Sequence, residues 1–174
     1  MEKKLNYSIE WSKKDREYVA TCTSYPSLSY LAQDPDEAFK GIRDLVSHLA
    51  LEASFRKHVK AWKKATMVLS SLTEIVLNQD YQAIIGMGKP AIPFILERLN
   101  DPTIELEHWD WALRALTGAE PVDEADAGDL KKITDAWLAW GRGTKYLSRS
   151  SWFITSKDRK PHGPAKIPQR RSRG

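Results

Sequence analysis

Leu5, Tyr7, Ile9 and Trp11 alternate with polar residues, the period-two pattern of a strand with one buried apolar face. Ser12-Lys13-Lys14-Asp15-Arg16-Glu17 is polar, and Tyr18-Val19-Ala20-Thr21-Cys22-Thr23 is rich in β-formers, so the short connection predicts an antiparallel hairpin. Ser24-Tyr25-Pro26-Ser27 reads as a proline-marked bend, and Leu28-Ser29-Tyr30-Leu31-Ala32 as a short third strand. Asp34-Pro35-Asp36-Glu37 is a helix start, with Asp34 as N-cap, Pro35 at the first helical position and Glu37 three residues after the cap. Ala38, Ile42, Leu45, Val46 and Leu49 then make one apolar stripe, predicted to pack on the hairpin.

The pattern is helical from there on. Phe55, Val59 and Trp62 recur at helical spacing, which places a loose boundary near residue 60. Met67–Leu77 predicts a second helix, Asn78-Gln79-Asp80 a turn and cap, and Tyr81–Ile85 a short helix stopped by Gly86-Met87-Gly88. Pro90 opens the next helix, with Ile92, Ile95, Leu96 and Leu99 as its stripe. Further helices are expected over His108–Leu116, ended at Gly118, and over Asp129–Gly141 with Leu130, Ile133, Trp137 and Trp140 inward. The fold class expected is α+β: a β-β-β-α module over 1–60, a helical domain over 61–150 and a tail over 151–174.

Residues 5–50 resemble the HicB-like antitoxin family. The likeness rests on Tyr7-Ser8-Ile9-Glu10-Trp11-Ser12, Glu17-Tyr18-Val19-Ala20-Thr21-Cys22, Tyr25-Pro26-Ser27-Leu28 and Asp34-Pro35-Asp36-Glu37-Ala38, in that order. It implies a partial RNase H-like module without catalytic carboxylates, which binds and blocks a small RNA-cleaving, HicA-like toxin. By the same resemblance the contact residues would be Tyr25, Pro26, Leu28, Asp34, Asp36 and Glu37, and a homodimer would be in keeping with the family. Ser27 stands where the family usually has glycine, and neither a helix-turn-helix nor a ribbon-helix-helix segment is readable, so operator binding is not implied. Residues 86–118 look like one HEAT-type helical repeat: Gly86-Met87-Gly88-Lys89-Pro90-Ala91-Ile92-Pro93, Leu99-Asn100-Asp101-Pro102, then Ala112-Leu113-Arg114-Ala115-Leu116. Solenoids need about three stacked units, so one unit implies a compact HEAT-like bundle, a type of surface that generally binds proteins.

Charge changes this picture at the C-terminus. The 174-residue chain has 27 Lys and Arg against 23 Asp and Glu, a net +4. Seven of the bases (Lys157, Arg159, Lys160, Lys166, Arg170, Arg171 and Arg173) and one acid lie in 155–174, so this stretch carries +6 and residues 1–154 carry −2. With three prolines, two glycines and two apolar residues, it is expected to be disordered alone. Those seven bases are the candidate nucleic-acid contacts, through phosphate neutralisation. The slightly acidic body suits a basic protein partner better.

No constellation for catalysis emerges, and no enzyme, cofactor or metal is expected. His108 and Asp110 are two apart on a helix and point to different faces. Cys22 is the only cysteine, which excludes an internal disulfide. His58 beside Lys57 and Lys60 reads as a solvated face, and Gly86-Met87-Gly88 lacks the rest of a phosphate loop. Nothing near Met1 reads as a signal peptide, and no run approaches the about 18 apolar residues of a membrane span, so the expectation is a cytoplasmic protein. Trp62, Trp109, Trp137 and Trp140 are expected in the core, whereas Trp111, next but one to Trp109, is the candidate exposed aromatic of a partner surface. The functional expectation is partner occlusion. The alternatives are a nucleic-acid-binding accessory protein using the tail, and a non-catalytic scaffold subunit.

Overall fold

In the computed structural model, which describes residues 5–144 and 146–147, three strands precede six α-helices. Strands β1 (Tyr7–Ser12), β2 (Glu17–Cys22) and β3 (Tyr25–Ala32) form one antiparallel sheet in sequential order. Tyr7 lies opposite Cys22 and Trp11 opposite Tyr18, while Tyr18 faces Ala32 across the other ladder. The sequence places a bend at Pro26, but the strand already includes it, behind an irregularity at Thr21/Cys22. An edge strand accommodates proline because one side of its ladder is unpaired.

Asp34 caps helix α1 (Pro35–Thr66) as expected, accepting from the Asp36 and Glu37 amides. The helix then runs unbroken for 32 residues, so the expected boundary near 60 falls inside it. Its first half buries Ala38, Ile42 and Val46 against Ala20, Cys22 and Ala32 of the sheet. Its second half buries Phe55, Val59 and Trp62 in a separate helical core. At 100° per residue the two stripes lie about 130° apart around the axis, so one helix serves two cores on two faces. The cores part between Val46 and Phe55. His48 bridges this interval, its ring 5.1 Å from that of Phe94.

The helical part contains α2 (Leu72–Val76), α3 (Gln79–Gly86), α4 (Ile92–Leu99), α5 (Asp110–Thr117) and α6 (Leu130–Gly143). The helix expected over Met67–Leu77 is much shorter. Ser71 accepts from the Glu74 amide and restarts the chain as α2, leaving Met67–Leu69 as an exposed connection. Gly88 (φ 73°) and Gly118 (φ 70°) take the left-handed conformations that their positions require. Helix α5 begins two residues later than expected, with the buried Trp109 in its N-cap position.

Tyr30 fixes how closely α1 approaches the sheet. A methyl group on Gly41 would overlap the Tyr30 ring, so glycine is required here for room rather than for backbone freedom. Gly41→Ala should destabilise the protein by about 1–3 kcal/mol, overriding the gain of up to about 1 kcal/mol from helix propensity. In a Tyr30→Ala background the same change should be neutral or stabilising. Urea denaturation of the four proteins of this cycle checks it, and a stabilising Gly41→Ala in the wild-type background would refute the packing explanation.

Candidate functional site

The sheet exposes part of the face it was expected to bury. Residues Tyr7, Ile9 and Trp11 point to the α1 side, opposite Cys22, Ala20 and Tyr18. Helix α1 lies mainly over β2 and β3 and reaches β1 only at its margin, where Phe39 meets Tyr7 edge-on at 5.5 Å. Beyond that contact Ile9 is 38% and Trp11 50% exposed, with Leu5 and Phe39 also open. Trp11 is supported on its inner side by Tyr18, ring to ring at 5.0 Å. The result is an apolar strip beside a strand edge that is unpaired among the described residues, the arrangement that folded chains ordinarily blunt with charge or cover. The opposite face is polar, with Ser8 and Thr21 hydroxyls hydrogen-bonded at 2.8 Å.

The helical core is aromatic, and each large ring has its polar atom satisfied. Tyr81 and Trp109 stack at 5.4 Å, Trp62 lies 4.8 Å from Trp109, and Phe55 lies 5.5 Å from Phe94. The indole of Trp62 donates to the Ile75 carbonyl, that of Trp109 to Glu107 and that of Trp137 to Asp110. The Tyr81 hydroxyl donates to the His108 carbonyl at 2.7 Å and accepts from the Ala112 amide at 3.1 Å. Burial pushes this phenol far above its ordinary pKa, so it stays protonated. His58, expected on a solvated face, instead ties α1 to α3 through a 2.7 Å bond to Asp80.

Glu107 is the most loaded carboxylate. It is buried and receives both Arg98 nitrogens, the Lys63 ammonium at 2.8 Å and the Trp109 indole at 2.9 Å. Burial alone would raise its pKa; the hydrogen bonds from Arg98, Lys63 and Trp109 outweigh that and hold it below the ordinary glutamate range. A carboxylate so surrounded is a structural clamp, with no lone pair left for chemistry. Two clefts border its neighbour His108, and Glu107 itself lines the larger of them. One of about 480 Å³ runs along Trp62, Met67 and Leu106, and one of about 280 Å³ lies between α2, α5 and the start of α6.

The residues singled out from the sequence fall in three places. Tyr25 and Leu28 pack against the small core, with Pro26 exposed beside them at the start of β3. Asp34, Asp36 and Glu37 are exposed at the far end of that strand, about 20 Å away at strand rise, and Asp34 is engaged as the α1 cap. Trp111 is on the helical part, 56% exposed. The bases Lys157, Arg159, Lys160, Lys166, Arg170, Arg171 and Arg173 lie outside the described residues. The exposure of Ile9 and Trp11 escaped the sequence reading because period-two alternation gives the face but not how far the helix covers it.

Among the described residues no group of three His, Cys, Asp or Glu is placed to hold a metal ion, and no helix is long and apolar enough to cross a membrane. Glu107→Gln should cost about 2–3 kcal/mol, by leaving the half-buried Arg98 against a neutral group. The depressed pKa of Glu107 contributes stability above its unfolded-state value and loses it as pH falls through the folded-state value. Urea midpoints should therefore fall below the ordinary glutamate range in the wild type, and this acid limb should be shallower in Glu107→Gln. No family model, curated protein or solved structure matches the chain.

Proposed function

We propose that this chain is a non-catalytic binding protein that acts by covering the working surface of a partner protein, in the manner of the HicB-like module it resembles. The observation that carries this reading is the apolar strip of Leu5, Ile9, Trp11 and Phe39 along the edge of β1, which has no strand partner among the described residues. A partner strand added at that edge would satisfy its free backbone groups and bury the strip in one step. The β-β-β-α order and the acidic start of α1 are in keeping with the same reading.

The test is co-expression with a small basic ribonuclease encoded beside this chain. Growth should be restored by the wild type and lost with Ile9→Lys combined with Trp11→Lys. Both side chains are at least a third exposed, so the double variant should keep its fold, and circular dichroism checks that. Failure of the wild type to rescue, with both proteins soluble, overturns the reading.

A further inference from the structure

The cleft between α2, α5 and the N-terminal turn of α6 combines an apolar lining with an acidic neighbouring loop. Its floor is apolar, formed by Leu72, Val76, Trp111, Leu130 and Ile133. Leu72 and Trp111 are 54% and 56% exposed, so two large side chains stand open on opposite sides of one groove. Trp111 is held in place from behind. Its neighbours Asp110 and Ala112 are fixed by the Trp137 indole at 2.7 Å and by the Tyr81 hydroxyl. An indole presented on a pinned backbone loses little freedom on binding, which makes it a good anchor position.

The rim is acidic. From Ala119 to Asp129 the chain carries Glu120, Asp123, Glu124, Asp126 and Asp129 and no Lys or Arg, and Ala127 and Gly128 of this stretch line the groove. Asp126 is paired with Lys132 at 2.6 Å, Glu120 lies 3.4 Å from Arg114, and Asp129 caps α6. Asp123 and Glu124 are exposed and have no cation partner among the described residues. Residues 110–135 hold seven acids and three bases, a net −4, so the rest of residues 1–154 is net positive. The acidity of the body is thus gathered beside this groove.

We propose that this groove is a second docking surface, and that its occupant is a Lys/Arg-rich segment of a partner protein carrying one bulky apolar anchor. The anchor seats between Leu72 and Trp111, and the basic flank runs over Asp123 and Glu124. The negative rim disfavours the alternatives: phosphate backbones and anionic lipid surfaces are repelled, and a second copy docking through the same face would set −4 against −4. The site is independent of the β1 edge, so either surface can fail without the other.

The experiment uses the full chain and a fluorescently labelled amphipathic peptide of Lys and Leu with one central Trp, followed by anisotropy. Saturable binding is expected. It should weaken tenfold or more with Trp111→Ala, and by a similar factor when the Trp of the peptide is replaced by Ala. The pair Asp123→Asn and Glu124→Gln should cost several-fold and reduce the salt dependence. Ile9→Lys with Trp11→Lys should leave binding unchanged, and a Glu/Leu peptide with the same Trp should not bind. Unchanged circular dichroism of Trp111→Ala excludes loss of fold as the cause. Absence of binding overturns the proposal, as does binding that follows charge alone and ignores both Trp replacements. Binding that emerges only after removal of residues 151–174 also overturns it, by assigning the groove to Trp152, Phe153 and the basic residues of the chain's own C-terminal stretch.

Discussion

A single helix ordinarily offers one apolar stripe to one core, and α1 has two cores to serve. Ala38, Ile42 and Val46 are committed to the sheet, whereas Phe55, Val59 and Trp62 enter the aromatic cluster, about 130° around the same axis. The two cores therefore share backbone hydrogen bonds without sharing side chains, apart from the contact His48 makes with Phe94 at the changeover. The sheet alone is three strands, and without the helix its Ala20, Cys22 and Ala32 would face water. The helical part in turn takes its Phe55 and Trp62 from that same helix. Neither part has a closed core without α1.

This division explains where the surface is left open. A helix lying over β2 and β3 cannot also cover β1, so the apolar side chains of the first strand extend past its flank. In the helical part, α2 has only five residues, and the groove between it, α5 and the start of α6 leaves Leu72 and Trp111 uncovered. Both open regions arise because the covering element is too narrow or too short, while the cores beneath them remain complete. That is why exposed apolar side chains coexist here with fully paired buried polar groups among the described residues.

What could be read from the sequence was local chemistry with a fixed geometry. Asp34 with Pro35, and Gly118, carry their conformation in their own covalent structure, and those helix ends fall where these residues put them, whereas Pro90 opens a 3-10 turn over Lys89–Ala91 and α4 starts only at Ile92. The aromatic spacing also placed Trp62, Trp109 and Trp137 inside and left Trp111 as the candidate outside. What could not be read depends on partners distant in the chain. The change of stripe in α1 looks like a boundary, because periodicity breaks there although the backbone does not. Met67-Val68-Leu69 looks like a helix because it is apolar, although the Ser71 and Glu74 pair three residues apart was a visible sign of a later start. The open edge of β1 depends on the lateral position of a helix, a quantity that alternation does not encode.

The Tyr81 hydroxyl has a consequence for the order of assembly. Helix α5 begins at Asp110 with buried Trp109 in the cap position and no side chain of its own to accept from its first amides. The oxygen that takes the Ala112 amide comes from α3, 31 residues earlier. An eight-residue helix is too short to hold itself together in water, and here its missing acceptor is delivered by tertiary structure. Helix α5 is therefore a product of docking rather than a seed for it, completed only when the Tyr81 ring has stacked on Trp109. Folding on this side of the molecule should be cooperative, with little α5 surviving as an isolated fragment.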